Sequence, residues 1–331
     1  MAVYILKRLL GLIPLFFGIT LICFFVIRLA PGSPVDAEGA MNPNFTDNAR
    51  QKFIALYGLD KPLHTQYILW LKKVVRLDFG TSFSRDARPV WDKIKERLPV
   101  TIQINAAALI LIFIISTVLG VVSAWYKGSA FDRTVTVLVF IGFAIPTFWL
   151  ALICMYIFGV VWGVLPISGL TSWNYQDLSV WGKFTDLAKH MVLPMFVTVA
   201  GGLAGMSRFM RGSMAEVLAK DYITAAKSRG LTNKTILFRH ALKNALLPAV
   251  TLLGLSVPGL IGGAVIFESI FTIPGMGQLF YQSVNMRDYP TVMGILVIGA
   301  ILTLLGNLLA DILYAVVDPR IRYAQASKGE E

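Results

Sequence analysis

Residues able to do chemistry are sparse in this chain, and where they fall matters more than how many there are. His64, His190 and His240 are scattered with no paired-ligand spacing, so no metal centre is expected. Cys23 and Cys154 both sit in apolar runs, which argues against a disulfide framework or a thiolate metal site. No GxxxxGK(S/T) run is present to cradle a nucleotide, and no GxSxG is present to raise a nucleophilic serine. An enzyme or proton carrier embedded in lipid would place ionisable groups deep in an apolar span, where they are costly. Here they fall at span ends, as at Arg28 and Arg208. At 1.5 Å per residue, Glu268 is expected about 30 Å beyond Pro248, and Asp311 about 33 Å beyond Tyr289. The chain is therefore expected to hold no catalytic residue, cofactor or metal of its own.

One polar stretch does carry a pattern. Between Ser213 and Pro248, small residues (Ala225, Ala226) are ringed by Lys220, Lys227 and Arg229. Ser213 with Glu216 reads as a capping box starting a helix that runs to Arg229, with Gly230 as its left-handed stop. Thr232 then opens a second helix that Pro248 bends or ends. So little side-chain bulk suits a helix that sits in a partner's groove while charge fixes its orientation. A plain basic loop between two spans is the competing reading.

Apolar elements must position this stretch. Of 331 residues, 56% are hydrophobic and 15% charged, too apolar for an ordinary soluble protein. Leu9 to Ile27 is an uncharged run long enough to cross a hydrocarbon core of about 30 Å, and is read as a retained helix. Residues 31–97 form a polar region with an expected helix from Thr46 to Tyr57. A stripe at Leu63, Tyr67, Leu71 and Val74 follows, making a small helical subdomain against the outer membrane surface. Further spans are expected at Leu98–Tyr126, Thr134–Leu165 with a kink at Pro146, Met191–Ser207, Ala245–Phe267 and Tyr289–Val317. Asn307 and Asp311 share a face of the last. The domains read as 1–30, 31–97, a core at 98–317 with the polar loop 208–247, and a tail at 318–331.

Six crossings put both termini on one side. The Arg208–Lys243 loop holds eight Lys/Arg against Glu216 and Asp221, whereas the short loops opposite hold Lys183, Lys189 and Arg287. By the positive-inside rule the basic loop and both termini are cytoplasmic. The formal net charge of +11 thus reflects lipid orientation rather than nucleic acid.

The wording Asp221-Tyr222-Ile223-Thr224-Ala225-Ala226-Lys227-Ser228-Arg229-Gly230-Leu231 resembles the EAA loop of ABC importer permeases, in its peptide/nickel branch. Thr224 stands where the general motif has glutamate, and Leu247-Pro248 comes later after Gly230 than in sugar importers. Arg28-Leu29-Ala30-Pro31-Gly32-Ser33-Pro34, Tyr57-Gly58-Leu59-Asp60-Lys61-Pro62-Leu63 and Pro274-Gly275-Met276-Gly277 are similar to the same family. So is Arg287-Asp288-Tyr289-Pro290. The resemblance implies an all-α integral membrane protein with the type I ABC importer permease fold. It implies six transmembrane helices, N-in and C-in, with a small helical extracytoplasmic insertion after the first. It also implies a bacterial or archaeal inner-membrane location and import of di- or oligopeptides. The implied partners are a homologous second permease subunit, two ABC ATPase subunits that bind ATP and Mg, and an extracytoplasmic solute-binding protein. Asp221, Tyr222, Thr224, Ala225, Ala226, Arg229, Gly230 and Leu231 would form the coupling helix, moving as a lever with the attached fourth and fifth spans.

Uncharged polar groups in the spans could solvate a peptide backbone along a route. Asn105, Thr147, Thr198 and Ser256, with Glu268, are the candidates. Such groups can equally bond neighbouring helices, at about 0.6 kcal/mol each. A nickel, glutathione or other small-solute permease on the same scaffold is the alternative. A membrane enzyme or scaffold that transports nothing is a different class.

Overall fold

The computed structural model describes residues 2–29, 60–260 and 263–317, together with the helical positions Asn48, Gln51 and Ile54. The expected helix at 46–57 otherwise lies outside the described residues, as do the tail at 318–331 and the side chain of Asp311. In chain order the principal helices are α1 (Ala2–Leu29), α2 (Leu63–Val74), α3 (Val90–Trp125), α4 (Ala130–Ala144) and α5 (Thr147–Cys154). They continue with α6 (Val180–Leu218), α7 (Asp221–Ser228) and α8 (Asn233–Leu255), the last with a π-helical stretch at Ile236–Leu242. The chain closes with α9 (Val265–Ile270), α10 (Met276–Asn285) and α11 (Tyr289–Val317).

Among the described residues, five helices are long and apolar enough to cross a membrane. A sixth crossing results if α4 and the helix from Thr147 to Val161 count as one broken span, bent by 97°. The bend has a local cause. Ile145, directly before Pro146, is pushed out of the helical region to φ −78° and ψ 125° by the proline ring.

The fourth and fifth spans differ from the sequence reading. α6 begins at Val180, well before the expected Met191, because Ser179 caps it by accepting the Gly182 N–H at 3.1 Å. The same helix runs to Leu218, so Ser213 is a mid-helix residue rather than a cap; its hydroxyl donates to the Ala245 carbonyl at 3.0 Å. The fifth span ends at Leu255 rather than Phe267. Ser256 N–H bonds both the Leu252 and Leu253 carbonyls, and Val257–Leu260 follows as a tighter 3₁₀ turn. Glu268 therefore belongs to a separate six-residue helix, and the 30 Å rise assigned to it does not apply.

The described residues fall into two compact units. The first draws on Met1–Ile102, Ile261–Ser269 and Pro274–Leu309. Its core joins Val74, Val90, Ile94, Met276 and Val297. Phe24 of α1 packs against the rings of Tyr67 and Trp70 of α2, with centroids 5.5 and 5.8 Å away. The stripe expected over Leu63–Val74 thus fastens α2 to α1. Two buried carboxylates anchor the rest. Asp288 accepts from Ser82 Oγ at 2.5 Å, Phe83 N–H at 2.9 Å and Thr291 Oγ1 at 2.6 Å. Glu268 accepts from Thr101 Oγ1 and from Gln278 N–H, each at 3.0 Å. Burial raises the Glu268 pKa above the ordinary carboxylate range, against the hydrogen bonds that lower it.

The second unit draws on Gln103–Leu260, Ile270–Ile273 and the residues from Ala310 onward. α6 is its spine, packed against α4, α5 and α8. Contact between α3 and α6 is close at Gly120, where an added Cβ would stand 2.6 Å from Met210 Cβ and 2.8 Å from the Arg211 nitrogen. A fixed ion pair ties α4 to α6. Arg211 Nε and Nη2 reach Asp132 Oδ1 and Oδ2 at 2.7 and 2.8 Å, and Gly128 N–H adds a third bond at 2.9 Å.

Gly120→Ala is expected to destabilise the folded chain by about 1–3 kcal/mol, the usual cost of overpacking. Gly205→Ala, on the same α6 but with nothing within 4 Å, should leave stability unchanged. Thermal unfolding midpoints in one detergent would compare them.

Candidate functional site: the α7 knob

An eight-residue helix is too short to hold itself together in water, so α7 needs anchors. It has them at both ends and beneath. At the start, Lys220 is extended (ψ 146°), which breaks the chain direction away from α6. Asp221 then stands in the first turn and Lys227 in the last, each favourable to the helix dipole. At the end, Gly230 N–H bonds the Lys227 carbonyl at 2.9 Å and Leu231 N–H bonds the Ala226 carbonyl at 3.3 Å. With Gly230 at φ +74°, this pair of bonds is a Schellman stop. Thr232 Oγ1 accepts the Thr235 N–H at 3.3 Å and opens α8, as the sequence implied.

Beneath the helix, Ile223 (0% exposed) and Ala226 (6%) point inward at i, i+3 spacing. They join a core with Met210 and Met214 of α6 and Ile236, Ala241, Ala245 and Ala249 of α8. Tyr222 adds a lateral tie, its hydroxyl accepting from Asn244 Nδ2 at 3.0 Å. The knob is thus fastened to both α6 and α8.

The eight residues singled out from sequence are therefore divided. Asp221, Tyr222, Thr224, Ala225, Arg229, Gly230 and Leu231 are exposed, whereas Ala226 is buried within this chain. Ala226 fastens the knob instead of lining its outer face. Sequence reasoning passed over Ile223, the strongest anchor. The signal was present, since it is the one large aliphatic residue between Asp221 and Gly230. The exposed face offers a small surface, Thr224 and Ala225, flanked by Tyr222, Lys227 and Arg229. The Lys220–Glu216 ion pair beside it (3.0 Å) is well exposed and worth little.

The route candidates lie as follows. Asn105 Nδ2 donates to the Leu260 carbonyl at 2.9 Å. Thr198 Oγ1 donates to Pro194 O at 2.9 Å and Ser256 Oγ to Leu252 O at 2.9 Å, each within its own helical segment. Thr147 is exposed at the bend, its Cγ2 3.1 Å from where a Cβ on Gly201 would stand. Glu268 is buried under Gly275, where an added Cβ would come within 2.6 Å of both carboxylate oxygens. No hydrogen bond described joins any two of these five residues. Among the described residues, no group of three or more His, Cys, Asp or Glu could hold a metal ion.

The fold is that of a helical membrane protein with several candidate spans, carrying a short, largely exposed helix fastened between two of its long helices. Residues 116–323 match the family described as the binding-protein-dependent transport system inner membrane component, and residues 1–106 match its N-terminal companion. The chain belongs to this family. It is 43% identical over 323 residues to the oligopeptide transport system permease protein AppB of Bacillus subtilis (strain 168), covering 98% of this chain and 100% of that one. It is 37% identical over 339 residues to the dipeptide transport system permease protein DppB of Escherichia coli (strain K12), covering 97% and 98%. It is also 37% identical over 320 residues to the oligopeptide transport system permease protein OppB of Haemophilus influenzae, covering 97% and 99%.

Ile223→Ala should destabilise the chain by about 2–4 kcal/mol, the cost of a large-to-small core change, although Ile223 touches no partner on the exposed face. Thr224→Ala, on the outer face, should change stability by less than about 0.5 kcal/mol. Protease resistance at residues 218–232 in the purified chain would separate the two.

Proposed function

We propose that this chain is one membrane-spanning subunit of an ATP-driven, binding-protein-dependent importer of di- and oligopeptides. The observation that carries the reading is near full-length likeness to relatives named as oligopeptide and dipeptide transport permeases. In this reading the chain crosses the membrane six times with both termini cytoplasmic, α4 and α5 making one broken crossing. The excess of Lys and Arg in the Arg208–Lys243 segment supports that orientation. A second, homologous permease would complete the route. Two ATPase subunits would bind ATP and Mg on the cytoplasmic side, and a solute-binding protein would deliver peptide from outside.

The mechanism follows from how α7 is held. Thr224 and Ala225 fit closely into a groove of the ATPase, and Arg229 and Lys227 set the orientation. Movement of that groove pushes on α7. Ile223 and Ala226 pass the displacement to Met210 and Met214 of α6 and to Ile236 and Ala245 of α8. Packed side chains respond by shifting as a body rather than deforming, so the two long helices tilt together. Tilting changes which side of the membrane the route opens to. The candidates Asn105, Thr147, Thr198 and Ser256 would then offer hydrogen bonds to a passing peptide backbone.

Arg229→Glu should leave insertion and folding intact, because Arg229 is exposed, yet lower ATP-dependent uptake of labelled peptide by more than about tenfold in proteoliposomes of the complex. That expectation rests on like-charge contact costing an interface more than about 1.4 kcal/mol. Uptake equal to wild type would refute the lever. Copurification without any nucleotide-hydrolysing subunit would refute the importer reading itself.

A further inference from the structure

A second feature of the α6 spine has no part in that mechanism. A cavity of about 260 Å³ opens among α3, α4 and α6, close to the end of the bundle from which α7 hangs. Its walls have two characters. Leu119, Val135, Val139 and Phe140 are apolar, whereas Ser123, Thr136, Ser207, Arg208 and Arg211 are polar. Along α4, Thr136 lies about 9 Å and Phe140 about 15 Å from Ala130.

Charge in this cavity is not balanced internally. Arg211 is neutralised by Asp132 through two bonds. Arg208 is exposed, and no described carboxylate forms an ion pair with it. Ser123, 1% exposed and among the lining residues, has a hydroxyl with no hydrogen-bond partner. Thr136 Oγ1 is already committed to the Asp132 carbonyl at 2.7 Å. The cavity thus offers one unneutralised guanidinium beside apolar walls, with a buried, unsatisfied hydroxyl behind its lining. Trp125 and Tyr126 at the end of α3 are aromatic residues of the type that settles at headgroup depth.

We propose that this cavity is a binding site for an anionic phospholipid, with the phosphate on Arg208 and the start of an acyl chain against Leu119, Val139 and Phe140. A free phosphate ion would use Arg208 but has no use for the apolar walls, which is why a lipid is favoured over a soluble anion. Basic pockets between spanning helices on the cytoplasmic side are the expected sites for such headgroups. The leaflet, though not the site, rests on the orientation proposed above. Because Arg208 and Arg211 stand on the helix that leads to α7, a bound lipid would brace the spine that receives the push.

The test uses the complete complex in detergent, with retained lipid read by native mass spectrometry. Dioleoylphosphatidylglycerol should be retained about fivefold over dioleoylphosphatidylcholine, the preference one basic residue near an anionic headgroup provides. Arg208→Gln should bring that ratio close to one, and Val139→Trp should reduce retention of both lipids. A photoactivatable phosphatidylglycerol should label the wild-type peptides containing Leu119, Val139 or Phe140, which needs no variant to fold. Equal retention of the two lipids by wild type, or labelling confined to other peptides, would overturn the proposal. Displacement of phosphatidylglycerol by inorganic phosphate would also overturn it, in favour of a free-anion site. A cross-link from position 208 to the second permease in lipid-free complex would show instead that protein fills the cavity.

Discussion

Burial of Ile223 beneath α7 is the contact on which the rest of this structure depends. A helix of eight residues has no independent stability, and its exposed face is mostly small or charged. Removing one isoleucine side chain from water is worth about 1.5–3 kcal/mol, comparable with the net contribution of its few end bonds. Because Ile223 shares one buried core with residues of α6 and α8, the burial that makes α7 exist also joins it to two long helices. In the proposed mechanism the contact that stabilises α7 is also the one that would carry its displacement into the two long helices.

The charged groups follow a consistent logic. Those that are buried are satisfied: Asp132 by Arg211 and Gly128, Asp288 by Ser82, Phe83 and Thr291, and Glu268 by Thr101 and Gln278. Each carboxylate thereby ties its own segment to one distant in sequence: Asp132 to Arg211, Asp288 to Ser82 and Glu268 to Thr101. Glu268 illustrates this well. Its carboxylate sits under the Gly275 turn, and Gly263 and Gly277 approach so closely that a Cβ on Gly263 would fall 2.3 Å from the Gly277 nitrogen.

Much of this was legible in sequence where the cause is local. Gly230 as a left-handed stop, Thr232 as a cap, and the bend at Pro146 all depend on backbone rules acting over a few residues. The apolar spans were legible because lipid leaves little choice of structure. Readings failed where a distant residue decided. Ser213 with Glu216 matches a cap pattern, yet tertiary packing carries α6 through it and turns the hydroxyl towards Ala245. The fifth span looked continuous because apolar composition persists past the 3₁₀ break at Val257–Leu260. The Asp132–Arg211 pair links positions 79 apart, which no spacing rule detects. The small size of Ala226 suggests docking when read in sequence, and only the fold shows that its side chain is buried in the core shared with α6 and α8.

The central claim is that the outer face of α7 is the surface through which this subunit receives work. A photo-cross-linking amino acid placed at Thr224 in the intact complex tests it most directly. The account predicts an adduct with the nucleotide-hydrolysing subunit, in a yield that changes when ATP is bound. An adduct with lipid or with an extracellular protein, and none with that subunit, would contradict it.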